Sequence, residues 1–227
     1  MGTRLIEFAI VVVASDCNPT ILNPDFLAGQ SIVPSEWGWG VSGTPITTPP
    51  FATISYDSGV SILVEANKFQ VSDKSISGKG PEPDTSKIPE IAKRYIEVLP
   101  HVRYDAVGHN FTVFVENAEA VAFLKDKFLK EGVWDSETHH MQEFGLKFVY
   151  HIKGGRLNVA MDGATIIDRS LEEPKEVRGI LIKANHHRDC EGYPSNEQVI
   201  EYLEHIQEDW NKFQAILADI LGANNVS

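Results

Sequence analysis

Between Leu5 and Ala14 the chain reads Leu-Ile-Glu-Phe-Ala-Ile-Val-Val-Val-Ala. The β-branched residues at its centre fit a pleated surface and crowd a helix, so the segment reads as a buried strand. Its strongly apolar part, Phe8 to Ala14, is far short of the roughly 20 residues that span a bilayer as a helix, and no membrane crossing is expected. An Arg ahead of an apolar stretch has the outline of an export signal, but Glu7 interrupts it and Asp16 stands beside Cys17 where a lipoprotein processing site takes a small uncharged residue. With only Cys17 and Cys190 and no CxxC spacing, a reducing cytoplasm is the expected compartment.

Turn residues divide the remainder. Asp16 to Pro50 is rich in Pro, Gly, Ser, Thr and Asn, with Asn23-Pro24 as the cap and first position of one short helical turn. Phe51 to Tyr56 and Val60 to Ala66 flank Asp57-Ser58-Gly59 and predict a hairpin. Ser72 to Ser86 has no periodicity and reads as a linker. A helix is expected over 89–99, an extended segment over 102–115 with a turn or bulge at Gly108, and a helix over 117–131. A second hairpin over 144–162 turns at Lys153-Gly154-Gly155-Arg156, and a strand is expected over 177–185. Ser195 and Gln198 resemble a capping box opening a helix over 196–221. There Val199, Leu203, Ile206, Trp210, Phe213, Leu217 and Ile220 make a heptad seam about 40 Å long.

The fold class is therefore α+β with mainly antiparallel sheets backed by helices and a long C-terminal helix. Two lobes are expected, an N-terminal β-rich unit over 1–132 and a C-terminal unit over 133–227, the alternative being one sheet covered on one face. The 227 residues carry 20 Lys+Arg against 32 Asp+Glu, a net charge of −12. Broad attraction to nucleic acid or anionic lipid is thereby disfavoured.

The stretch Thr48-Pro49-Pro50-Phe51 with its hairpin, and Pro89-Glu90-Ile91-Ala92-Lys93-Arg94-Tyr95 through Leu99-Pro100-His101-Val102-Arg103-Tyr104-Asp105-Ala106-Val107-Gly108, resembles uncharacterised bacterial proteins of similar size. Some of these are encoded in mobile or phage-defence loci. The resemblance implies a helix leading into an Arg-containing strand that packs against a C-terminal strand and helix, here Val177 to Leu221. It carries over no catalytic residue.

No Walker motif, GxGxxG, GxSxG or HExxH is present, which removes the usual support for nucleotide and hydrolase readings. The densest chemistry is Asn185-His186-His187-Arg188-Asp189-Cys190-Glu191. Imidazole, carboxylate and thiol there would suit zinc or another divalent metal if His186, His187, Asp189 and Cys190 converged, with His139, His140 or His151 completing the sphere. Alternation opposes this, since adjacent residues on a strand point to opposite faces. Otherwise no cofactor is expected. Trp37 and Trp39, beside glycines in a Pro-rich loop, and Trp210 and Phe213 on the seam are candidate interaction residues. Arg94, Arg103 and Arg156 are candidate anion ligands. The leading expectation is a non-enzymatic protein that binds a protein partner or itself; the alternatives are a metal-dependent hydrolase or nuclease and a small-anion sensor.

Overall fold

The apolar run opening the sequence lies within strand β1 (Thr3–Ser15), where Phe8, Ile10, Val12 and Ala14 are buried. The structure is a computed structural model that describes residues 2–74, 80–134, 141–168 and 173–222. After two short 3-10 turns and α1 (Pro24–Gly29) come β2 (Ile46–Thr47), β3 (Phe51–Ser55), β4 (Val60–Glu65) and β5 (Lys68–Lys74). Then follow α2 (Ile88–Val98), β6 (Arg103–Glu116), α3 (Ala120–Phe128), β7 (Gly145–Ile152), β8 (Gly155–Asp168), β9 (Lys175–Asp189), α4 (Asn196–Leu203) and α5 (Ile206–Leu221).

The nine strands among the described residues form one antiparallel sheet in the order β2-β3-β4-β5-β1-β6-β9-β8-β7. Both halves of the chain feed this sheet, joined where β6 pairs β9 from Ala106↔Asp189 to Glu116↔Gly179. It is the single-sheet alternative that this pairing realises, with β6 and β9 neighbours at the centre and β2 and β7 at the edges.

Local chemistry explains the elements. Asn23 accepts a hydrogen bond from the Phe26 N–H at 2.8 Å and caps α1 behind Pro24. Gly59, at φ 93°, and Gly154, at φ 72°, supply the left-handed backbone of the two hairpin turns. Buried Phe69 and Val71 carry β5, which runs on through Ser72–Lys74 into the stretch expected as a linker, of which 75–79 lie outside the described residues. Gly108 is no bulge: it stays in register between Val11 and His187, and the register shifts occur at Leu5/Glu7 and Val13/Ala14 instead.

The expected single helix over 196–221 is two helices. Glu204 and His205 donate backbone bonds to Glu201 and Tyr202, tightening the end of α4 before α5 departs. Ser195 makes no side-chain cap; its hydroxyl donates to the Tyr104 carbonyl at 2.6 Å and accepts from the Tyr104 N–H at 3.1 Å. Buried Val199, Leu203, Ile206, Phe213, Leu217 and Ile220 keep the seam turned toward the sheet.

The helices share one face of the sheet. Tyr95 of α2 stacks on Phe69 with centroids 3.9 Å apart, Trp210 and Phe213 of α5 meet Phe111, and Val121 of α3 lies over Gly163. No described helix packs on the opposite face. There the end of the β8–β9 arm curls over Phe114, which is 2% exposed, and Asp168 reaches Arg4 at 3.0 Å.

Gly179 sits where a Cβ would collide with the Val115 carbonyl and the Phe114 ring. Gly179→Ala is therefore expected to lower the urea unfolding free energy by about 1–3 kcal/mol. Gly29→Ala, at a helical site with nothing within 4 Å, should be neutral or stabilising by up to about 1 kcal/mol.

Candidate functional site

Alternation along β9 splits the sequence cluster in two. His186 and Arg188 point to the helix-covered side and are buried, whereas His187 and Asp189 point to the open side, where the His187 ring nitrogen Nε2 lies 2.9 Å from Asp189 Oδ1. Cys190 leaves the strand half-buried, its thiol pushed up to about 11 by burial and then by Asp105 and Asp189. The four candidate metal ligands thus do not converge, and among the described residues no group of three or more His, Cys, Asp or Glu is placed to hold a metal. His139 and His140 lie outside the described residues.

What β9 brings together on the covered side is a buried electrostatic network. Arg188 donates from both terminal nitrogens to Asp209 of α5, at 2.6 and 2.7 Å. His109 of β6, the register partner of His186, lies with Nδ1 2.7 Å from Asp209 Oδ2. His186 Nε2 stands 3.9 Å from the other carboxylate oxygen, and its ring meets Phe111 edge-on. Side-chain exposure is 0% for both histidines, 3% for Asp209 and 7% for Arg188.

The protonation states follow from this geometry. Burial alone would raise the Asp209 carboxyl, but hydrogen bonds from Arg188 and His109 hold it far below the usual carboxylate range. Asp209 is therefore ionised and accepts, so His109 donates from Nδ1 and its Nε2 is unprotonated. Burial lowers the His109 pKa despite the bond to Asp209, and it brings His186 down to about 4. Both rings are neutral at pH 7. His109 Nε2 and both nitrogens of His186 have no hydrogen-bond partner among the described atoms. The network ties α5 to the two central strands; a pocket of about 200 Å³ between Lys153, Tyr202, His205 and Lys212 reaches Arg188 and Asp209 but is not lined by either buried histidine.

The open side presents a different array. Register places Lys147–Ala160–Lys183–Thr112 in one row across β7, β8, β9 and β6, then Val149–Asn158–Asn185–Asn110, then His151–Arg156–His187–Gly108. Asn158 donates to Asn185 at 3.3 Å and Asn185 to Asn110 at 2.6 Å, forming an amide ladder. Lys147, Arg156 and Lys183 are exposed, and none of these twelve positions is a carboxylate. Gly108 leaves room for the ladder, since a Cβ there would stand 3.0 Å from Asn185 Nδ2.

The other sequence candidates fall elsewhere. Phe213 is a core residue at 0% exposure, and Trp210 is half-buried against Phe111 at 5.1 Å, so the seam is covered by the chain's own sheet. Trp37 and Trp39 pack on one another at 4.9 Å; Lys87, at the N-cap of α2, and Arg94 within it lie over Trp37, and Tyr56 lies against Trp39. These rings anchor the loop. Arg94 pairs with Glu90 at 2.6 Å, Arg103 with Asp105 at 3.2 Å, and Arg156 stands on the open face, so the three arginines do not share a site.

Sequence reasoning missed His109 as a member of the network, and also Asp209. A signal existed for Asp209: it is three residues beyond Ile206 and four before Phe213, on the side of the helix that the seam buries. Asp209→Ala leaves the Arg188 charge buried and alone, and should cost about 3–5 kcal/mol in urea unfolding. Asp189→Ala on the open side should cost about 1 kcal/mol or less. Acid should act in two stages. Unfolded histidine takes up protons near pH 6.5 while folded His186 waits until about 4, so stability falls as pH drops through that interval; Asp209 adds a further loss below its usual value of 3.8. Thermal melts from pH 7 to 3 measure both stages. In comparisons with known proteins, no family model matches this chain and no curated protein matches it.

Proposed function

We propose that this chain is a non-enzymatic cytoplasmic protein of the bacterial kind its sequence resembles, serving as a protein-interaction or assembly module through the helix-free face of its sheet. One observation carries the reading. In a chain of net charge −12, three adjacent rows of that face hold Lys147, Arg156 and Lys183 without a carboxylate among them. Among the described residues none of the three cations is ion-paired. They are therefore available to a carboxylate arriving from another molecule.

Screening supports a local reading of this charge. At physiological salt the Debye length is about 8 Å, so an approaching acidic surface feels the three cations, together with the carboxylates that border them on this face, Asp189 beside His187 and Asp162 one row beyond Lys147, more than the remaining carboxylates that set the net charge. Charges on such a surface govern encounter and specificity. The amide ladder adds fixed donors and acceptors between the cations, and Val149, 59% exposed in the middle row, adds apolar area. The free thiols of Cys17 and Cys190 accord with a reducing compartment, and no described helix is long and apolar enough to cross a membrane.

A fluorescent Glu-rich peptide titrated with the full chain tests this by anisotropy. Wild-type protein should bind it, with affinity falling as salt rises, and Arg156→Glu/Lys183→Glu should weaken binding about tenfold or more. Trp37→Ala should retain it. Absence of binding, or equal binding by the charge-reversed variant, contradicts the proposal.

A further inference from the structure

The covered side of the molecule carries a surface of opposite sign to the open face. Glu197, Glu201, Glu204 and Glu208 follow one another at steps of four, three and four along α4 and the start of α5, and all are exposed. Val199, Leu203 and Ile206 on the other side of the same helices are buried. From Asn196 to Leu221 the sequence holds six carboxylates against a single Lys212 and no Arg. Asp209 is internal and already paired, and Glu208 meets His205 at 3.0 Å. Glu197, Glu201 and Glu204 have no ion pair among the described residues.

The two surfaces match in size. Glu197, Glu201 and Glu204, on α4 and its C-cap, span seven residue rises, about 10 Å at 1.5 Å per residue. The three rows of the open face span about 14 Å along the strands, and β7 to β9 is two strand spacings, about 10 Å. Both surfaces are exposed, and they lie on opposite sides of one sheet.

We propose that the occupant of the open face is a second copy of this chain, whose acidic α4–α5 stripe docks on Lys147, Arg156 and Lys183. This rests on the open face being an interaction surface. Because donor and acceptor surfaces are different patches on opposite sides, the contact is heterologous, and a dimer leaves one patch and one stripe free. Assembly proceeds head to tail and does not stop at a dimer. The patch is smaller than the roughly 800 Å² per partner of a stable interface, so the association is weak and salt-sensitive.

Sedimentation velocity of the full chain, from micromolar to hundreds of micromolar, reads the outcome. In about 0.15 M salt the weight-average mass should rise with concentration past the dimer, and in about 1 M salt, where the Debye length is about 3 Å, it should fall to the monomer. Two neutral variants sharpen the test. Arg156→Gln/Lys183→Gln removes the cationic surface and Glu197→Gln/Glu201→Gln/Glu204→Gln the acidic one; each variant alone should stay monomeric with an unchanged melting temperature. Their equimolar mixture retains one intact patch and one intact stripe, and should form dimers and nothing larger. A wild-type chain that stays monomeric throughout overturns the proposal, as does assembly indifferent to salt or to either variant, or a mixture that fails to dimerise. If the monomeric wild-type chain still binds the Glu-rich peptide, the interaction surface stands and only its occupant is wrong.

Discussion

A guanidinium and a carboxylate that are both out of water must stay together, and in this protein they join elements from different parts of the chain. Arg188 lies near the end of β9 and Asp209 in the first turn of α5, with His109 of β6 bound to the same carboxylate. Separating them would leave a buried charge uncompensated, which is far costlier than losing an exposed pair. The direction in which α5 crosses the sheet is set by this contact together with the apolar seam around Phe111 and Phe213. Hydrophobic burial supplies non-directional attraction; the paired charges supply a defined register.

The same constraint shapes the other face. Side chains on a strand alternate, so placing His186 and Arg188 inward obliges His187 and Asp189 outward. A run that is contiguous in sequence becomes half anchor and half surface. Across β6, β9 and β8 the outward positions then align as Asn110, Asn185 and Asn158, with Lys183 in the row to one side and His187 and Arg156 in the row to the other. A surface built this way is as rigid as the sheet beneath it, and its side chains are held at fixed spacing without any loop having to order.

Much of the architecture was legible because it depends on local rules. β-branched and alternating segments marked β1, β3, β4 and β6, glycines marked the hairpin turns, and Asn23-Pro24 marked α1. Strand β5 was obscured because its apolar alternation covers only Phe69 and Val71 before polar residues take over. The choice between two lobes and one sheet depended on the β6–β9 pairing, a contact between residues some 75 apart that no local pattern encodes. Of the site, alternation counted against His186 and His187 meeting, but a strand expected to end at 185 left both as candidates until its continuation to Asp189 turned them to opposite faces; the joining of His109 to Asp209 across a hundred residues had no sequence signal beyond an acid on the apolar side of a helix. Trp37, Trp39, Trp210 and Phe213 have the composition of an interface, but composition does not distinguish a partner from the chain's own core.

The division of β9 into a neutral, buried imidazole side and a solvated side is best tested by ring nitrogen spectra of the histidines at about pH 6, below the ordinary histidine value near 6.5. His186, brought down to about 4, should be uncharged there, and His109 should carry a proton on Nδ1, bound to Asp209. A charged His186 ring, or His109 protonated on Nε2 and not on Nδ1, would contradict the buried network on which the covered face and the open face both depend.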